Sequence, residues 1–214
     1  MKLVIATRNP AKAREMREIL QRLLGDQWHI LDLTHFPPFD EPEEVEDTYV
    51  GNALIKARAA TGATGELCIA DDAGLEIDAL DGAPGVHSKR FGGEELPFPR
   101  KISRLLSLLE GIPPERRTAR FRCVVALAEG AGFQQAFEAT CEGVIAPEPR
   151  GDGGFGYDPI FLYPAARKTF AEMTPEEKHG VSHRGKVLRL AAEALAERQT
   201  HPPRERQRPR EQGA

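Results

Sequence analysis

Two adjacent carboxylates, Asp71 and Asp72, are the side chains of this chain best suited to metal or acid–base chemistry. They follow a short apolar run, Leu67–Ala70, that is typical of a buried strand, and Gly74 comes two residues later. The pattern predicts that the pair stands where a strand of an α/β sheet gives way to a turn. Adjacent acids need a compensating cation or hydrogen bonds, and Mg²⁺ arriving with a phosphate substrate is one such cation. An acidic turn in water explains these residues equally well.

A second candidate site lies near the start of the chain, where a strand-like run from Leu3 to Thr7 is followed by Asn9 and Pro10. Asn9 is a suitable N-cap, and Pro10 fits the first position of a helix. Free backbone N–H groups at the helix start, reinforced by the helix dipole and by Lys12, predict an anion site. The sequence is not a Walker A loop, and an ordinary capped helix is the common alternative.

Asn52 and Lys56 are four residues apart on a predicted helix and therefore share one of its faces. A Pro- and Glu-rich loop precedes that helix and could bring a carboxylate to a metal ion. Its acidic side chains nearest the helix are Glu43, Glu44, Glu46 and Asp47. Considered alone, each of these groups is also compatible with a solvated surface.

The segment Gly151–Pro159 combines several glycines with Phe155, Tyr157 and Asp158. Glycine allows the backbone to approach a ligand closely, aromatic rings can stack on a base, and Asp158 adds an acceptor. The glycine spacing and the absence of a strand-to-helix pattern exclude a Rossmann dinucleotide site. Ligand binding is favoured over a plain glycine turn with two core aromatics.

A basic group, Lys178, His183 and Arg184, stands before the last predicted helix. Arginine can make a planar, bidentate contact to a phosphate or to the edge of a base, although His-Arg pairs are also common on surfaces. No Ser-His-Asp or Cys-His arrangement is evident in the sequence. Cys68 has apolar neighbours and is a poor candidate for a nucleophile.

Apolar periodicity predicts the elements that would position these groups. Strands are expected at residues 3–7, 30–33 and 67–70 and in a hairpin of residues 119–127 and 137–145 that turns at 129–132; helices are expected at 10–24, 49–60, 102–109 and 187–195. The segment Thr174–Glu177 has the form of a capping box. We therefore expect one α/β domain with a mixed sheet over residues 1–197.

The 214 residues are 40% hydrophobic and 29% charged, as is typical of a globular protein. No apolar run approaches the roughly 20 residues of a membrane span, and the N-terminus lacks the features of a signal peptide. Three cysteines in apolar surroundings indicate a reducing compartment, so a cytoplasmic protein is expected. Residues 198–214 carry five arginines and two glutamates and are predicted to be a disordered tail, which leaves an acidic body unsuited to nucleic acid.

Taken together, five segments resemble the inosine triphosphate pyrophosphatase family, also called the Ham1-like family. They are IATRNPAK, TYVGNALIKARAA, IADDAGLEIDALDGAPGVHSKRF, RGDGGFGYDPIF and KTFAEMTPEEKHGVSHRGK. The resemblance runs in order from Lys2 to about Leu195, nearly the whole chain outside the tail. Five ordered motifs of this length are far more than chance similarity produces.

The resemblance implies Mg²⁺-dependent hydrolysis of a nucleoside triphosphate between its α and β phosphates, giving a monophosphate and pyrophosphate. The implied substrates are ITP, dITP and XTP, whose bases are hypoxanthine and xanthine. The implied fold is a long central mixed β-sheet with helical lobes that flank a deep active-site cleft, usually in a homodimer. Neither nucleic acid nor a membrane is an expected partner.

The resemblance also assigns roles to residues of this chain. Asp72 would accept a proton from water and meet Mg²⁺, Glu44 would be an upstream metal carboxylate, and Asp71 would support the same site. Asn52 and Lys56 would orient the water or the phosphates. The residues expected to hold the triphosphate are Thr7, Arg8, Asn9, Pro10, Ala11 and Lys12. Those expected to hold the base and sugar are Phe155, Gly156, Tyr157, Asp158, Lys178, His183 and Arg184.

Two positions depart from the family's usual pattern. Family members commonly have Thr-Gly-Asn where this chain has Arg8 in the middle, and Asp-Asp-Ser-Gly where it has Ala73 in place of serine. Arg8 would either block close backbone approach or add a phosphate contact, and Ala73 would contact substrate only without the hydroxyl. Two alternatives remain open: a related pyrophosphatase acting on other nucleotides, and a nucleotide-binding regulatory module without turnover.

Overall fold

The computed structural model describes residues 1–130 and 132–200. Its strands are β1 (Lys2–Ile5), β2 (His29–Asp32), β3 (Cys68–Ile77), β4 (Thr118–Glu129), β5 (Phe133–Ile145), β6 (Phe161–Tyr163) and β7 (Lys168–Thr169). Its helices are α1 (Pro10–Leu24), α2 (Tyr49–Thr64), α3 (Phe98–Leu108), α4 (Pro175–Val181) and α5 (His183–Thr200). The predicted strands and helices all occur, with boundaries that differ by a few residues in most cases.

A mixed sheet in the order β2-β1-β3-β4-β5-β6-β7 organises these elements. β1 is parallel to β2 and β3, whereas the pairs from β3 to β7 are antiparallel. The prediction of one α/β fold with a mixed sheet and a central hairpin is therefore confirmed. β4 ends at Glu129 and β5 begins at Phe133, as the predicted turn requires, although Ala131 lies outside the described residues.

The side chains of β3 alternate between two faces of the sheet and separate the helices into lobes. Ile69 packs with α1 and α5, while Leu75 and Ile77 pack with α3 further along the same face. Ala70 faces α2 on the opposite side. On the first face, α1 and α5 form one lobe and α3 forms another. The gap between these two lobes lies beside the segment Asp71–Ala73, which contains the predicted carboxylate pair.

β3 is longer than predicted, and the two aspartates lie inside it and not at a turn. Asp71 and Asp72 pair with two valines of β4, in a ladder that continues to Ile77. The predicted strand end was wrong because the long antiparallel partner keeps this segment extended. Gly74 marks a close approach within the strand, since a Cβ at that position would overlap the carbonyl oxygen of Gly85.

The parallel neighbour of β3 is much shorter. β1 ends at Ile5 and pairs with β3 only at Cys68 and Ile69. Beyond those residues the edge of β3 borders a crevice at the carboxyl end of β1, which is where open α/β sheets bind ligands. The chain enters α1 at the same point, so β1 brings the predicted anion-binding turn next to the two aspartates.

The last helix passes the predicted domain boundary. α5 continues to Thr200, so the first three residues assigned to the tail are helical. Within them, the Arg198 guanidinium pairs with Glu129 and lies 3.9 Å from the ring centre of Phe133. Residues 201–214 of the predicted tail lie outside the described residues. In residues 1–130 and 132–200, none of the helices has the length and apolar character needed to cross a membrane.

Candidate active site

A cleft of about 530 Å³ opens beside β3, between the helical lobes; we call it the principal cleft. Most of the predicted site residues line it: Thr7, Arg8, Asn9, Pro10, Lys12, Glu44, Lys56, Asp72, Ala73, Phe155, Gly156, Tyr157, Asp158, Lys178, His183 and Arg184. Three others, Ala11, Asn52 and Asp71, do not. Residues from six separate segments of the chain thus converge on one cavity.

Asp72 meets a cation and a second carboxylate in the principal cleft. The Nζ of Lys56, on α2, is 2.9 Å from Asp72 Oδ1 and 3.3 Å from Glu44 Oε1. Burial raises the pKa of the Asp72 carboxyl, although Lys56 opposes that effect. The pKa of Lys56 is raised because attraction to Asp72 and its neighbouring acids outweighs burial. Asp72 is therefore a stronger proton acceptor than an exposed aspartate, held beside a fixed positive charge.

Asn52 acts on the cleft indirectly. Its side chain is fully buried, accepts from the Glu46 backbone N–H at 3.1 Å and donates to the Glu46 carbonyl at 3.0 Å. Its Nδ2 also lies 3.5 Å from Asp72 Oδ2. The Asn52 amide is therefore engaged by protein partners in this structure, and it does not line the principal cleft. Asn52 instead ties the acidic loop, residues 36–47, to α2, and so holds Glu44 near Lys56.

Asp71 points to the opposite face of the sheet from Asp72, because successive side chains of a strand alternate. Its Oδ2 is 2.7 Å from Arg184 Nη2 and 3.2 Å from Lys12 Nζ, in a fully buried position. Lys12 and Arg184 outweigh burial and hold the pKa of Asp71 far below its usual range. This geometry does not fit the expectation that Asp71 supports a metal site shared with Glu44. Each aspartate has its own cations, which relieves the repulsion between them.

Glu15 is a site residue that sequence reasoning missed. Its Oε1 is 2.8 Å from Lys178 Nζ, and its Oε2 is 2.6 Å from Arg184 Nη1. Lys178 also donates to Asp158 at 2.7 Å. The result is a buried chain of alternating charges, Lys12–Asp71–Arg184–Glu15–Lys178–Asp158. The spacing of Lys12 and Glu15, three residues apart on α1, is the sequence signal that could have found it.

Acid is expected to destabilise the fold through this charge network. Burial alone would raise the pKa of Glu15, but Arg184 and Lys178 lower it from 4.5 to about 2. A carboxylate with a depressed pKa stabilises the folded state above its unfolded pKa and ceases to do so as pH falls towards the folded value. The free energy of unfolding, measured with urea, should therefore fall by a few kcal/mol between pH 4.5 and pH 2.

A matched pair of variants checks the source of that acid dependence. Glu15→Gln removes the titrating group and should flatten the decline below pH 4.5. Glu193→Gln changes an exposed glutamate of α5 and should leave the decline as in the wild type. An identical pH dependence in all three proteins would contradict the assignment.

The start of α1 is capped by its own asparagine. Asn9 Oδ1 accepts from the N–H groups of Ala11 at 3.0 Å and Lys12 at 3.2 Å, and Pro10 has no N–H to offer. The N–H groups of Ala11 and Lys12, at the helix start, are therefore already engaged by Asn9. The side chains of Lys12 and Arg8 and the helix dipole are the remaining sources of positive charge that an anion could meet here.

Arg8 extends from the same turn to the acidic loop. Its Nη2 donates to the Phe39 carbonyl, its Nε is 3.7 Å from the Glu41 carboxylate, and its guanidinium lies 5.5 Å from the Phe39 ring centre. Besides the two roles considered from sequence, obstruction and phosphate contact, the structure gives Arg8 a third. It anchors the loop that carries Glu44.

The segment Gly151–Pro159 forms another wall of the principal cleft. Gly154 has a φ of 69°, and a Cβ there would overlap the Asp158 carboxylate, so this turn requires glycine. Asp158 accepts from the Phe155 backbone N–H at 2.8 Å and is buried, which raises its pKa. The Lys178 Nζ lies 4.8 Å from the centre of the half-buried Phe155 ring. Asp158 therefore positions Phe155 and Lys178.

His183 lies against an aromatic cluster at the edge of the cleft. Its ring is stacked on Phe121, with centres 4.6 Å apart, and 3% of the residue is exposed. Burial, reinforced by the charge of Arg184, lowers the pKa of His183 well below its usual value, so the ring is neutral at pH 7. Within the described part of the chain its buried Nδ1 has no hydrogen-bond partner. A polar ligand atom could satisfy that nitrogen.

Several other cleft residues had no sequence signal of their own. Ser88, Lys89, Phe98 and Lys101 line the cavity, and the first two lie in one of the quoted family segments. Lys101 is buried and donates to the carbonyls of Lys89 and Gly93, so it holds this loop against α3. Tyr157 donates to the Ser88 carbonyl at 3.0 Å and is almost fully buried, which leaves Phe155 as the more accessible of the two predicted stacking rings.

Comparison with known proteins identifies relatives over nearly the whole described chain. The model of the Ham1 family matches residues 3–194. A dITP/XTP pyrophosphatase from Desulforamulus reducens is 51% identical over 195 residues, which are 91% of this chain and 96% of the relative. A protein of the same name from Thermus thermophilus is 47% identical and covers 96% of each chain. The structure of a HAM1 protein from Coxiella burnetii superposes with a TM-score of 0.80 at 40% identity, over 92% of this chain and 99% of the other.

The sequence and the α/β fold thus both match those of one family. Because the family model and the relatives span nearly the whole described chain, this protein belongs to the Ham1 family. The resemblance inferred from the five sequence segments is confirmed.

Proposed function

We propose that this protein hydrolyses ITP, dITP and XTP to the nucleoside monophosphate and pyrophosphate, and so removes these nucleotides from the cellular pool. The observation that carries the proposal is the placement of Asp72 in the principal cleft, within 2.9 Å of Lys56, which also reaches Glu44. Relatives named dITP/XTP pyrophosphatase support the substrate class.

In this proposal Asp72 accepts a proton from the attacking water, a role that suits a carboxylate whose pKa is raised by burial. Lys56 keeps the Asp72 carboxylate in place and offers positive charge where negative charge develops on the phosphates. Lys12 and Arg8 bind the triphosphate from the opposite wall. Ala73 lines the cleft without a hydroxyl, so its contribution is limited to its backbone.

The residues around Lys56 suit Mg²⁺. Carboxylate oxygens are the preferred ligands of Mg²⁺. The carboxylates of Glu44 and Asp72 already bind the same positive group, the Lys56 ammonium. Among the described residues no group of three or more His, Cys, Asp or Glu side chains is placed to hold a metal ion. Two carboxylates would therefore share the ion with substrate phosphates, as is usual for Mg²⁺. When bound, Mg²⁺ supplies neutralisation of phosphate charge.

Base recognition is proposed for the far end of the cleft. Phe155 offers a ring face for stacking, and the guanidinium of Arg184 lies 5.6 Å from its centre. The neutral His183, with an unsatisfied nitrogen, and Arg184 provide polar groups for the edge of a 6-keto purine. An adenine amino group would leave such donors unpaired, which costs binding energy.

A substrate panel tests the activity. With Mg²⁺ present, pyrophosphate release should give a kcat/KM for ITP and XTP about a hundredfold above that for ATP, because adenine leaves a buried donor unpaired. dITP, GTP and dUTP complete the panel, and a chelator should abolish turnover. Preference for GTP or ATP over ITP would refute the specificity, while ITP binding without pyrophosphate release would favour a regulatory module.

Homodimer formation and a cytoplasmic location are also proposed. Residues 133–143 of β5 have no strand partner on the side away from β4 in the described structure, so this edge offers backbone groups to a second copy. Light scattering in solution tests the dimer. The cysteines Cys68, Cys123 and Cys141 are buried free thiols, which supports a reducing compartment and can be checked by cell fractionation.

A further inference from the structure

A second cavity of about 530 Å³ lies on the other side of the turn between β1 and α1. It is bounded by α1, by the end of β2 and by the first half of the acidic loop. Three arginines line it, Arg8, Arg14 and Arg17, and among the described residues Asp32 is the only carboxylate in its lining. We call it the arginine pocket.

The charges of the arginine pocket are incompletely balanced by the protein. Arg17 pairs with Asp32, and Arg8 is 3.7 Å from the Glu41 carboxylate outside the pocket. Arg14 lies three residues before Arg17 on α1, and within residues 1–130 and 132–200 its guanidinium has neither an ion pair nor a hydrogen bond. In the principal cleft, Lys12, Lys56, Lys178 and Arg184 are each paired with a carboxylate, whereas Lys89 has no ion pair within the described residues.

The arginine pocket adjoins the principal cleft at the turn between β1 and α1. Thr7, Arg8, Pro10 and Phe39 line both cavities. Asp72 and Lys56 are absent from the arginine pocket, as are Phe155 and His183. A ligand there would lie next to the triphosphate-binding turn, away from both the reacting atoms and the proposed base site.

We propose that the arginine pocket binds inorganic pyrophosphate, the anionic product of the proposed function, on which this inference rests. Guanidinium groups bind phosphate oxygens through charge-assisted, bidentate hydrogen bonds. Pyrophosphate forms at the end of the cleft where Arg8 joins the two cavities, and Arg14 is a cation there without a competing carboxylate. The pocket thus provides a place for the product to occupy after it leaves the reacting centre.

Arg14→Gln is the informative variant, because it removes a charge without leaving a buried carboxylate unpaired. Binding of inorganic pyrophosphate is measured by calorimetry in the presence of a chelator, which keeps metal-dependent binding in the principal cleft out of the measurement. The dissociation constant should rise about tenfold in the variant, as expected for the loss of one charge-assisted contact. Arg116→Gln, at an exposed arginine that lines neither cavity, should bind like the wild type.

The possible outcomes distinguish a failure of the arginine-pocket proposal from a failure of the proposed activity. Equal pyrophosphate affinity in the wild type and in Arg14→Gln, or no pyrophosphate binding by the wild type, would overturn the arginine pocket even if ITP is hydrolysed. Weaker pyrophosphate binding in Arg14→Gln, with unchanged binding in Arg116→Gln, supports the arginine pocket. If Arg14→Gln weakens pyrophosphate binding but the wild type does not hydrolyse ITP, dITP or XTP, the anion site stands. Its assignment to a reaction product would then be refuted.

Discussion

Asp72→Asn is expected to lower kcat for ITP hydrolysis by about a hundredfold or more, because an amide cannot accept a proton from water. The substitution is nearly isosteric, and the new side chain can still accept from Lys56, whose Nζ is 2.9 Å from the present carboxylate oxygen. The fold should therefore persist, and thermal unfolding should stay close to that of the wild type. Pyrophosphate release at saturating ITP and Mg²⁺ gives the measurement.

The matched control for Asp72→Asn is Asp26→Asn. Asp26 is exposed in the connection between α1 and β2 and does not line either cavity, so its variant should turn over ITP like the wild type. Undiminished turnover in Asp72→Asn would remove Asp72 from its role as the base. A parallel loss in both variants would show that the assay is not reporting on the cleft.

Arg184→Met is expected to reduce the free energy of unfolding by about 3–5 kcal/mol, the usual cost of removing one partner of a buried ion pair. Arg184 is 2% exposed and bonds two carboxylates, Asp71 at 2.7 Å and Glu15 at 2.6 Å. Methionine replaces much of its volume but none of its charge. In the variant both carboxylates lose the ion pair with Arg184, but each retains one other partner. Glu15 remains paired with Lys178, and Asp71 remains paired with Lys12.

Urea unfolding at pH 7 measures the effect, and the melting temperature should fall by roughly 10 °C for a chain of this size. Adding Asp71→Asn to Arg184→Met should restore part of the stability, since the buried Asp71 charge, which Arg184 no longer compensates, is then removed. Arg116→Met changes an exposed arginine and should be nearly neutral. Unchanged stability in Arg184→Met would contradict the description of the network as a structural element.

Local signals were sufficient for much of the fold. The N-cap at Asn9, with Pro10 behind it, starts α1 as predicted, and the capping box of Thr174 and Glu177 starts α4. These features depend on hydrogen bonds between residues two or three apart, which the sequence displays directly. The central hairpin was also predictable, because alternating apolar residues mark both strands and a short turn joins them.

Local signals failed where pairing with a distant strand determines the backbone conformation. Gly74 after two acids is typical of a turn, but pairing with β4 keeps the whole segment extended. That pairing sends Asp71 and Asp72 to opposite faces and gives them different partners. Asn52 likewise looked available to a ligand, although the Glu46 backbone, six residues away, occupies its amide.

The sequence by itself determined the family, the mixed α/β architecture and the residue types that converge on the principal cleft, because ordered motifs and periodicity are properties of the chain alone. Only the tertiary structure decided which of those side chains face the cavity and which carboxylate belongs to which cation. Burial and pairing depend on contacts between segments far apart in sequence, such as Asp71 with Arg184. For that reason the partners of Glu15 and the arginine pocket are apparent only in the folded protein.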